Sequence, residues 1–363
     1  MAHPVKVAAI GVGRLGLFHA RHVQELAQET GTCQLVAVAD RHADTAKRVA
    51  AELSAGQAIV VQAFDSPEAL AAAGVADAAV VASRTADHQR DTMALVQAGM
   101  RVLLEKPLGD TLEEARELAA WLTAEEDRKR AVMLAFQRRY DAPLLLAKTL
   151  LDAGGIGRLF KIVSVLEDPE PPPMGYQSSG LLTDMGVHNA DEVLWLAGRS
   201  PTAVTGIGAR LHNQKIDGVV AEDFDDAFVQ LWLGADVVAQ IQVSRNHVSG
   251  YRNETTLYGT EGLIHVGRFD GDPLKVRVEA YGKDHKVLEK QVFPQRDYGR
   301  PVPVFIRRFG SAYKGEMADF VARCAAGEDF GVTHADGLRA LQVVVAAADS
   351  LRSHEQGRPV DLS

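Results

Sequence analysis

Short apolar runs and longer helix-forming runs alternate along the first 136 residues of the chain. The apolar, β-branched runs predict strands over Val5–Gly11, Gln34–Asp40, Ala58–Ala63, Ala78–Ser83, Arg101–Glu105 and Ala131–Phe136. The runs between them carry Ala and Leu at helical spacing and predict helices over Gly16–Gln28, Ala43–Leu53, Pro67–Ala73, Asp87–Ala98 and Leu112–Glu125. Nearly continuous apolar strands separated by helices are typical of a parallel sheet covered on both faces. The pattern therefore predicts an open, doubly wound α/β (Rossmann) domain over residues 1–136.

After residue 136 the pattern changes, because most strand-like segments follow one another without long helices between them. Helices are predicted over Pro143–Ala153 and from about Met185 to Ala197, and Asp168–Gly180 reads as a proline-rich loop. Strands are predicted over Lys161–Leu166, Thr202–Arg210, Phe224–Leu233, Val237–Ser244, Glu254–Tyr258, Val276–Tyr281 and Val287–Phe293. Two further helices are predicted over Tyr313–Ala326 and Ala335–His354. We expect residues 137–363 to form an α+β domain around a large, mostly antiparallel sheet.

Composition narrows the class of protein. A chain of 363 residues with 47% hydrophobic residues and a formal charge of −9 is typical of a globular protein of two domains. No long basic stripe is present for a nucleic-acid backbone, and no run of about 18 apolar residues is present to cross a membrane. Cys33 and Cys324 have neither the spacing of a metal site nor that of a disulfide framework. Because the first residues do not resemble a signal peptide, we expect the cytoplasm and no nucleic-acid or membrane partner.

The first candidate site is a G-x-G-x-x-G element, Gly11 to Gly16, between the first predicted strand and the first predicted helix. In dinucleotide-binding folds such glycines form a tight turn, leave room for the pyrophosphate and allow close helix–strand packing. The helix N-terminus then offers N–H groups and a partial positive charge to the diphosphate. Asp40 ends the second strand, where it would accept hydrogen bonds from the adenosine ribose. A glycine-rich turn without a ligand is the alternative, and this context favours dinucleotide binding.

The choice of nicotinamide cofactor depends on two adjacent residues. Asp40 would repel the 2′-phosphate of NADP, whereas Arg41 could pair with that phosphate, stack on the adenine, or lie in solvent. The carboxylate favours NAD, and NADP is the alternative.

The second candidate site follows the fifth predicted strand, in the sequence RVLLEKPLG. Ligands bind at the carboxyl ends of the strands in a doubly wound sheet, so Lys106 is predicted to lie beside the nicotinamide. A lysine there can donate a hydrogen bond to a substrate hydroxyl and stabilise the developing alkoxide. A purely structural ion pair between Glu105 and Lys106 is the alternative.

The third candidate site is a helical stripe that contains Asp184, His188, Asp191 and Trp195. A carboxylate one turn before a histidine can fix its tautomer and raise its basicity, which suits a general base near neutral pH. Three alternatives are open: Asp184 as a helix N-cap, His188 as a partly buried structural histidine, and a metal site formed by the two with Asp191. No further His/Cys cluster supports a metal, so we expect none.

Together these segments carry a family resemblance. GVGRLGLFHA, LLEKPLG and LLTDMGVHNADEVLWLAG, in this order, resemble the Gfo/Idh/MocA family of sugar and cyclitol dehydrogenases over almost the whole chain. AFQRRYDAPL, DPEPPP, RRFGSAYKGEMADFV and VTHADGLRAL are most similar to its inositol 2-dehydrogenase branch. The resemblance implies an NAD(P)-binding domain at 1–136 and, at 137–363, a substrate-binding domain whose open sheet mediates a homodimer or homotetramer.

The resemblance also implies roles for single residues. The implied catalytic residues are Lys106, Asp184 and His188. The residues implied around the cofactor are Gly11, Gly13, Arg14, Leu15, Asp40, Ser83, Arg84, His88, Glu105 and Lys106, to which the argument above adds Arg41. The residues implied around the substrate are Lys106, Gln137, Arg138, Asp184, His188 and Tyr251.

One segment departs from the inositol enzymes, which carry a His-Arg or Ser-Arg pair where this chain has Leu166-Glu167 before Asp168-Pro169. We therefore expect NAD-linked oxidation of a secondary hydroxyl on a cyclitol or a pyranose, with myo-inositol only one of the possible substrates. Two alternatives of other classes are a non-catalytic regulator of the same fold that binds NAD and sugar, and a lyase or glycosidase that uses NAD transiently.

Overall fold

The computed structural model describes residues 3–169, 180–210, 215–216, 219–220, 223–267, 275–353 and 358–359. The chain forms two compact units, of which the first comprises Met1–Gln137 with Tyr313–Leu338 and the second Arg138–Ala312 with Arg339–Ser363. The sequence places residues 313–338 in the second domain, whereas in the structure they belong to the first unit. There Thr333 forms a β-bridge with Met133 of the sixth strand, a long-range pairing that local sequence does not reveal.

The first unit contains a parallel, six-stranded sheet, as the alternating pattern predicts. Its elements are β1 (Val5–Ile10), α1 (Arg14–Thr30), β2 (Cys33–Ala39), α2 (Ala43–Ser54), β3 (Gln62–Phe64), α3 (Pro67–Ala73), β4 (Ala78–Val81), α4 (His88–Gln97), β5 (Arg101–Glu105), α5 (Leu112–Thr123), α6 (Glu126–Lys129) and β6 (Val132–Ala135). The strand order is β3-β2-β1-β4-β5-β6. All residues of β4 and β6 are buried, which explains their continuous apolar sequences. This order places the ends of β1, β4 and β5 side by side at one edge of the sheet.

Local signals set several helix ends in this unit. α5 begins with a capping box. The Thr111 side chain accepts from the Glu114 N–H, and the Glu114 side chain accepts from the Thr111 N–H. α1 ends at Gly31, whose φ of 67° is the left-handed conformation that glycine adopts without strain. The third strand was predicted over Ala58–Ala63 but is Gln62–Phe64. It is an edge strand that pairs only with β2, so the pairing, and not the apolar run before it, sets its bounds.

The second unit is built around a nine-stranded sheet. Its elements are α7 (Ala142–Asp152), β7 (Leu159–Glu167), α8 (Val187–Ala197), β8 (Ala203–Ala209), β9 (Lys215–Ile216), β10 (Val219–Val220), β11 (Asp226–Trp232), β12 (Val238–Ser244), β13 (Arg252–Gly259), β14 (Gly262–Val266), β15 (Lys275–Gly282), β16 (Val287–Pro294) and β17 (Arg358–Pro359). Two further helices, α9 (Val304–Ala326) and α10 (His334–Ser353), each have residues in both units. The order is β16-β15-β14-β13-β7-β12-β11-β8-β17, and β9 pairs with β10 separately. Among the described strands of this sheet only β7 and β12 pair in parallel, so the predicted, mostly antiparallel sheet is confirmed.

Side chains alternate between the two faces of this sheet. In β11, Ala227, Val229 and Leu231 are buried, whereas Phe228 and Trp232 are exposed. α8 packs on β7 and β12. A Cβ on Gly206 of β8 would lie 2.7 Å from Cγ of Leu351 in α10, which shows how closely that helix approaches the sheet.

Some elements differ from the predictions. α9 begins at Val304, before the predicted Tyr313. Position 310, inside this helix, is a glycine because the Tyr298 ring occupies the space that a side chain would need. A Cβ there would lie 1.6 Å from the phenol oxygen. Strand β14 and the two-residue strands were not predicted. Of the predicted proline-rich loop, residues 170–179 lie outside the described part of the chain.

Candidate cofactor and catalytic residues

The glycine loop joins β1 to α1, and its glycines have different surroundings. A Cβ on Gly11 would lie 2.5 Å from the Ser83 backbone, and a Cβ on Gly16 would lie 1.9 Å from the Gly11 carbonyl oxygen. Gly13 is exposed, and no described atom lies within 4 Å of the Cβ position that it lacks. The fold itself therefore requires Gly11 and Gly16, whereas the space at Gly13 suits a ligand that approaches the backbone.

The N-terminus of α1 and the end of β2 offer the groups that a dinucleotide needs. In the described part of the chain, no side chain caps α1 at Gly13 and no acidic residue lies in its first turn, so its N–H groups and dipole suit a diphosphate. The Asp40 carboxylate accepts hydrogen bonds from the backbone N–H of Val12 at 3.1 Å and of His42 at 2.9 Å, one on each oxygen. A carboxylate oxygen can accept more than one hydrogen bond, so Asp40 is held in place with capacity for ribose hydroxyls. These residues fit a bound dinucleotide.

His88 connects the loops that follow β4 and β5. Its imidazole is buried, with Nδ1 2.9 Å from the Pro107 carbonyl oxygen and Nε2 3.3 Å from that of Ser83. Burial lowers the pKa of His88 below its ordinary value, so the ring is neutral and carries one N–H. The shorter distance indicates that Nδ1–H donates to Pro107. His88 thus braces the turn that carries Lys106, while Arg84 is exposed and pairs with Asp87 at 3.1 Å.

Glu105 fixes the same turn from the opposite end. Its buried carboxylate lies 2.7 Å from Nε2 of His19, which is fully buried in α1. Its second oxygen accepts from the backbone N–H of Lys106 at 3.2 Å. The His19 ring also packs edge-on against Tyr313, with ring centroids 5.7 Å apart. Glu105 therefore acts on Lys106 through its backbone, and the half-buried Lys106 side chain extends from a turn held on both sides.

In the second unit, the helical stripe begins with a π-turn. Residues Leu182–Gly186 are π-helical and continue directly into α8. Asp184 lies inside this turn and Gly186 is the N-cap position of α8, so the N-cap interpretation of Asp184 is wrong. His188 follows in the first turn of α8 and is half-buried. π-turns inside helices are frequent at functional sites because they change the direction of a side chain locally.

A buried guanidinium lies beside Asp184. Nη2 of Arg245 is 3.6 Å from an Asp184 carboxylate oxygen, and Nη1 donates to Asp223 at 3.3 Å. The same Asp223 oxygen accepts from the backbone N–H of Leu181 at 2.7 Å. Asp223 and Arg245 therefore hold the start of the π-turn and place a positive charge next to Asp184.

Asp191 has a separate role. Arg139 donates to its two carboxylate oxygens at 3.0 and 2.6 Å, and the Asp191 side chain is buried. A bidentate pair of this kind fixes the geometry of both groups. The metal site considered for Asp184, His188 and Asp191 therefore lacks its third ligand.

The next residue, Glu192, is the centre of a buried charge cluster with Arg138, Ser164 and Thr255. Arg138 donates to Glu192 at 2.8 Å, and the hydroxyls of Ser164 and Thr255 donate to the other carboxylate oxygen. Arg138 is 2% exposed. Its Nε and Nη2 are buried without a hydrogen-bond partner in the described residues. Arg138, predicted at the substrate, is thus held by a carboxylate that the sequence did not single out.

Tyr251 lies in the same charged neighbourhood. Burial raises the pKa of its phenol far above the ordinary value, and the positive charges of Arg138 and Arg308 oppose that shift. Arg308 is itself held by Asp141 through two hydrogen bonds of 2.8 Å. Tyr251 is therefore a neutral phenol near two buried guanidinium groups. Gln137, also predicted at the substrate, is buried as well.

Several residues that support the candidate site were missed by the sequence reasoning. They are His19, Asp141, Glu192, Asp223, Arg245 and Arg308. Most pair with residues distant in sequence, such as Arg308 with Asp141 across 167 positions, so no local spacing indicates them. Glu192 carries a weak signal, since a charged residue within an apolar helix must find a buried partner.

Two family models match separate parts of the chain. The family model described as "Oxidoreductase family, NAD-binding Rossmann fold" matches residues 5–136, and the GFO/IDH/MocA C-terminal domain matches residues 144–265. The chain is 31% identical to inositol 2-dehydrogenase 2 of Saccharopolyspora erythraea, over 98% of this chain and 96% of that protein. It is 28% identical to scyllo-inositol 2-dehydrogenase (NAD(+)) of Bacillus subtilis, over 100% of this chain and 97% of that protein.

The fold is similar to solved structures over its full length. A crystal structure of a myo-inositol dehydrogenase from Corynebacterium glutamicum matches with a TM-score of 0.80 at 26% identity, over 99% of both chains. The matched models, the identity to relatives over nearly all residues and the six- and nine-stranded sheets agree with one another. The chain belongs to the Gfo/Idh/MocA family of oxidoreductases, and its first domain is an NAD-binding Rossmann domain.

Proposed function

We propose that the protein is an NAD-dependent dehydrogenase that oxidises one secondary hydroxyl of a cyclitol or a pyranose. One observation carries this proposal: Lys106, Asp184 and His188 are all present in a chain similar to inositol dehydrogenases over almost its entire length. The fixed turn at Lys106 and the continuous helical run from Asp184 to His188 support it.

The catalytic roles follow from the chemistry of the side chains. His188 removes the proton of the substrate hydroxyl, as a general base that titrates near neutral pH can. Lys106 donates a hydrogen bond to the same oxygen and stabilises the negative charge that develops on it. Asp184 orients the His188 ring and balances its charge once it is protonated.

The cofactor residues hold the dinucleotide so that the reaction can proceed. When bound, NAD supplies the hydride acceptor. Gly13 leaves room for the diphosphate at the N-terminus of α1, and Asp40 accepts from the ribose. The other residues proposed around the cofactor are Gly11, Arg14, Leu15, Arg41, Ser83, Arg84, His88, Glu105 and Lys106. Two of them, His88 and Glu105, act through the backbone of the Lys106 turn.

We propose Gln137, Arg138 and Tyr251 as further substrate contacts. The charges around them are compensated: Arg138 pairs with Glu192, and Glu167, at the point of departure from the inositol enzymes, pairs with Arg252 at 3.2 Å. Such a neutral arrangement suits a polyhydroxylated, uncharged ring better than a sugar acid.

We further propose that the protein works in the cytoplasm as a homodimer or homotetramer. None of the helices in the described part of the chain is long and apolar enough to cross a membrane. Cys33 and Cys324 are free thiols, as is usual in a reducing compartment. The exposed Phe228, Trp232 and Val238 on one sheet face support association through that face.

The proposal is tested by incubating the purified protein with NAD, and in parallel with NADP, against a panel of inositols, aldoses and glycosides. We expect reduced nicotinamide to accumulate with NAD and at least one inositol or aldose. Binding of a sugar without turnover would indicate a regulator. Conversion of a glycoside without net reduction of NAD would indicate a lyase or glycosidase. Either result would overturn the proposal.

A further inference from the structure

Arg245 is a buried charge at the end of β12, in the segment that follows the last strand residue, Ser244. Its side chain is 5% exposed. Its backbone N–H donates to the Asp225 carbonyl at 2.9 Å, so both the main chain and the side chain are anchored. A buried guanidinium requires compensation by carboxylates, and Arg245 lies within 4 Å of those of Asp223 and Asp184.

The contacts of Arg245 lead to the helical run that carries the proposed base. Asp223 receives both the Arg245 guanidinium and the backbone N–H of Leu181, immediately before the π-turn. At 3.6 Å, the interaction of Arg245 with Asp184 is one between charges and is longer than a normal hydrogen bond. The guanidinium therefore attracts the Asp184 carboxylate and offsets the repulsion between the two carboxylates.

We propose, on the basis of the proposed function, that Arg245 is a positioning residue for catalysis, which holds Asp184 in place for His188. Without the guanidinium, the two carboxylates would repel each other in one partly buried region, which favours displacement of Asp184. Asp184 would then hold the His188 ring less well.

The same geometry fixes the direction of an electrostatic effect on His188. Charged groups lie on the elements around His188. They are Asp184 in the π-turn, Asp223 before β11 and Arg245 after β12. Glu167 at the end of β7 pairs with Arg252, and on α8 Asp191 pairs with Arg139 and Glu192 pairs with Arg138. Since the Asp184 carboxylate favours a protonated imidazole and Arg245 holds that carboxylate in place, Asp184→Asn should lower the pKa of His188 more in the wild type than in an Arg245→Gln background.

The first test is a double-mutant cycle in the full-length protein. Arg245→Gln should lower kcat by about 10- to 100-fold, the range typical of an outer-shell partner, and Arg245→Lys should recover most of that loss. In an Asp184→Asn background, Arg245→Gln should change kcat less than about twofold, because its effect passes through Asp184. Arg308→Gln removes a guanidinium equally buried but paired with Asp141, and its effect should be the same in both backgrounds.

The second test does not require turnover. The His188 imidazole is titrated by NMR in protein with labelled histidine, with the signal assigned from His188→Gln. Asp184→Asn should lower the His188 pKa in the wild type and in an Arg308→Gln background, and should lower it less in an Arg245→Gln background.

Additive effects of Arg245→Gln and Asp184→Asn on kcat, or an Asp184→Asn shift of the His188 titration that is the same in the folded wild-type and Arg245→Gln proteins, would overturn the inference. Absence of dehydrogenase activity in the wild type would overturn the proposed function instead, and the titration would still decide the role of Arg245.

Discussion

The glycine loop and the buried charge cluster differ in the kind of group that we propose contacts a ligand: backbone groups at the loop and side chains in the cluster. At the loop, the groups proposed to contact the cofactor are backbone N–H groups and an open space at Gly13, and the Asp40 carboxylate accepts from the N–H of Val12 across 28 positions. In the charge cluster, the groups proposed to contact the substrate are side chains, and Arg138 donates to Glu192 across 54 positions. The proposed nucleotide contacts thus use mainly backbone groups of one loop, whereas the proposed substrate contacts use side chains held by partners distant in sequence.

The two regions should also respond differently to mutation. A backbone site changes only when a side chain invades its space, as at Gly13. A buried ion pair is sensitive at each member, because removal of one charge leaves the other uncompensated in a medium of low polarity.

The largest expected effect is on chemistry in the second unit. His188→Ala should lower turnover by about 10²–10⁴-fold, the usual cost of a lost general base, while NAD affinity stays the same. Steady-state kinetics and NAD titration measure the two quantities. His285→Asn, at an exposed turn histidine, is the control and should behave as the wild type. Near-normal turnover of His188→Ala would remove this residue from the mechanism.

The next effect concerns stability. Glu192→Ala leaves Arg138 buried without its partner and should lower the free energy of unfolding by about 3–5 kcal/mol. Chemical denaturation measures it, and Glu261→Ala, which removes an exposed partner of Lys283, should have little effect. Equal losses in the two variants would show that the charge cluster is no more sensitive than the surface.

Lys106→Ala should lower turnover by about 10²–10³-fold, as the loss of an oxyanion donor does. NAD affinity should be largely retained, because Glu105 and His88 hold the turn through its backbone and not through the lysine side chain. Lys283→Ala, an exposed lysine, is the control. A wild-type rate in Lys106→Ala would contradict the proposed role.

The loop can be tested with two matched glycine variants. Gly13→Ala places a methyl group where the protein has space, so it should weaken NAD binding by about tenfold and leave the melting temperature unchanged. Gly16→Ala places it against the Gly11 carbonyl and should lower the melting temperature. Calorimetric titration and thermal unfolding distinguish them. The reverse pattern would show that the loop is shaped by packing alone.

The smallest effect is a pH dependence. Because His88 has a lowered pKa when folded, the unfolded chain takes up a proton first as the pH falls below about 6.5. The free energy of unfolding should therefore decrease from pH 7 towards pH 5 more steeply in the wild type than in His88→Gln. Identical slopes in denaturant titrations would show that His88 is not neutral in the folded state.

The sequence predicted most of what is local. The parallel sheet, the antiparallel sheet, the glycine loop and the Lys106 turn follow from apolar runs and from glycine and proline positions. The π-turn at Asp184 could not be predicted, because Asp223 and Arg245 stabilise it from more than 35 positions away. Residues 313–338 were predicted in the second domain and form part of the first unit, which local sequence does not reveal because Thr333 pairs with Met133.

The most direct test of the proposed reaction is to follow hydrogen from the substrate to the cofactor. The protein is given NAD and a cyclitol deuterated at its ring carbons, and the reduced nicotinamide is examined by mass spectrometry. For the wild type we expect one deuterium in each reduced nicotinamide. For His188→Ala we expect almost no reduced nicotinamide to form. Reduced nicotinamide without deuterium, or no oxidation of any deuterated cyclitol or pyranose that binds together with NAD, would contradict the proposal.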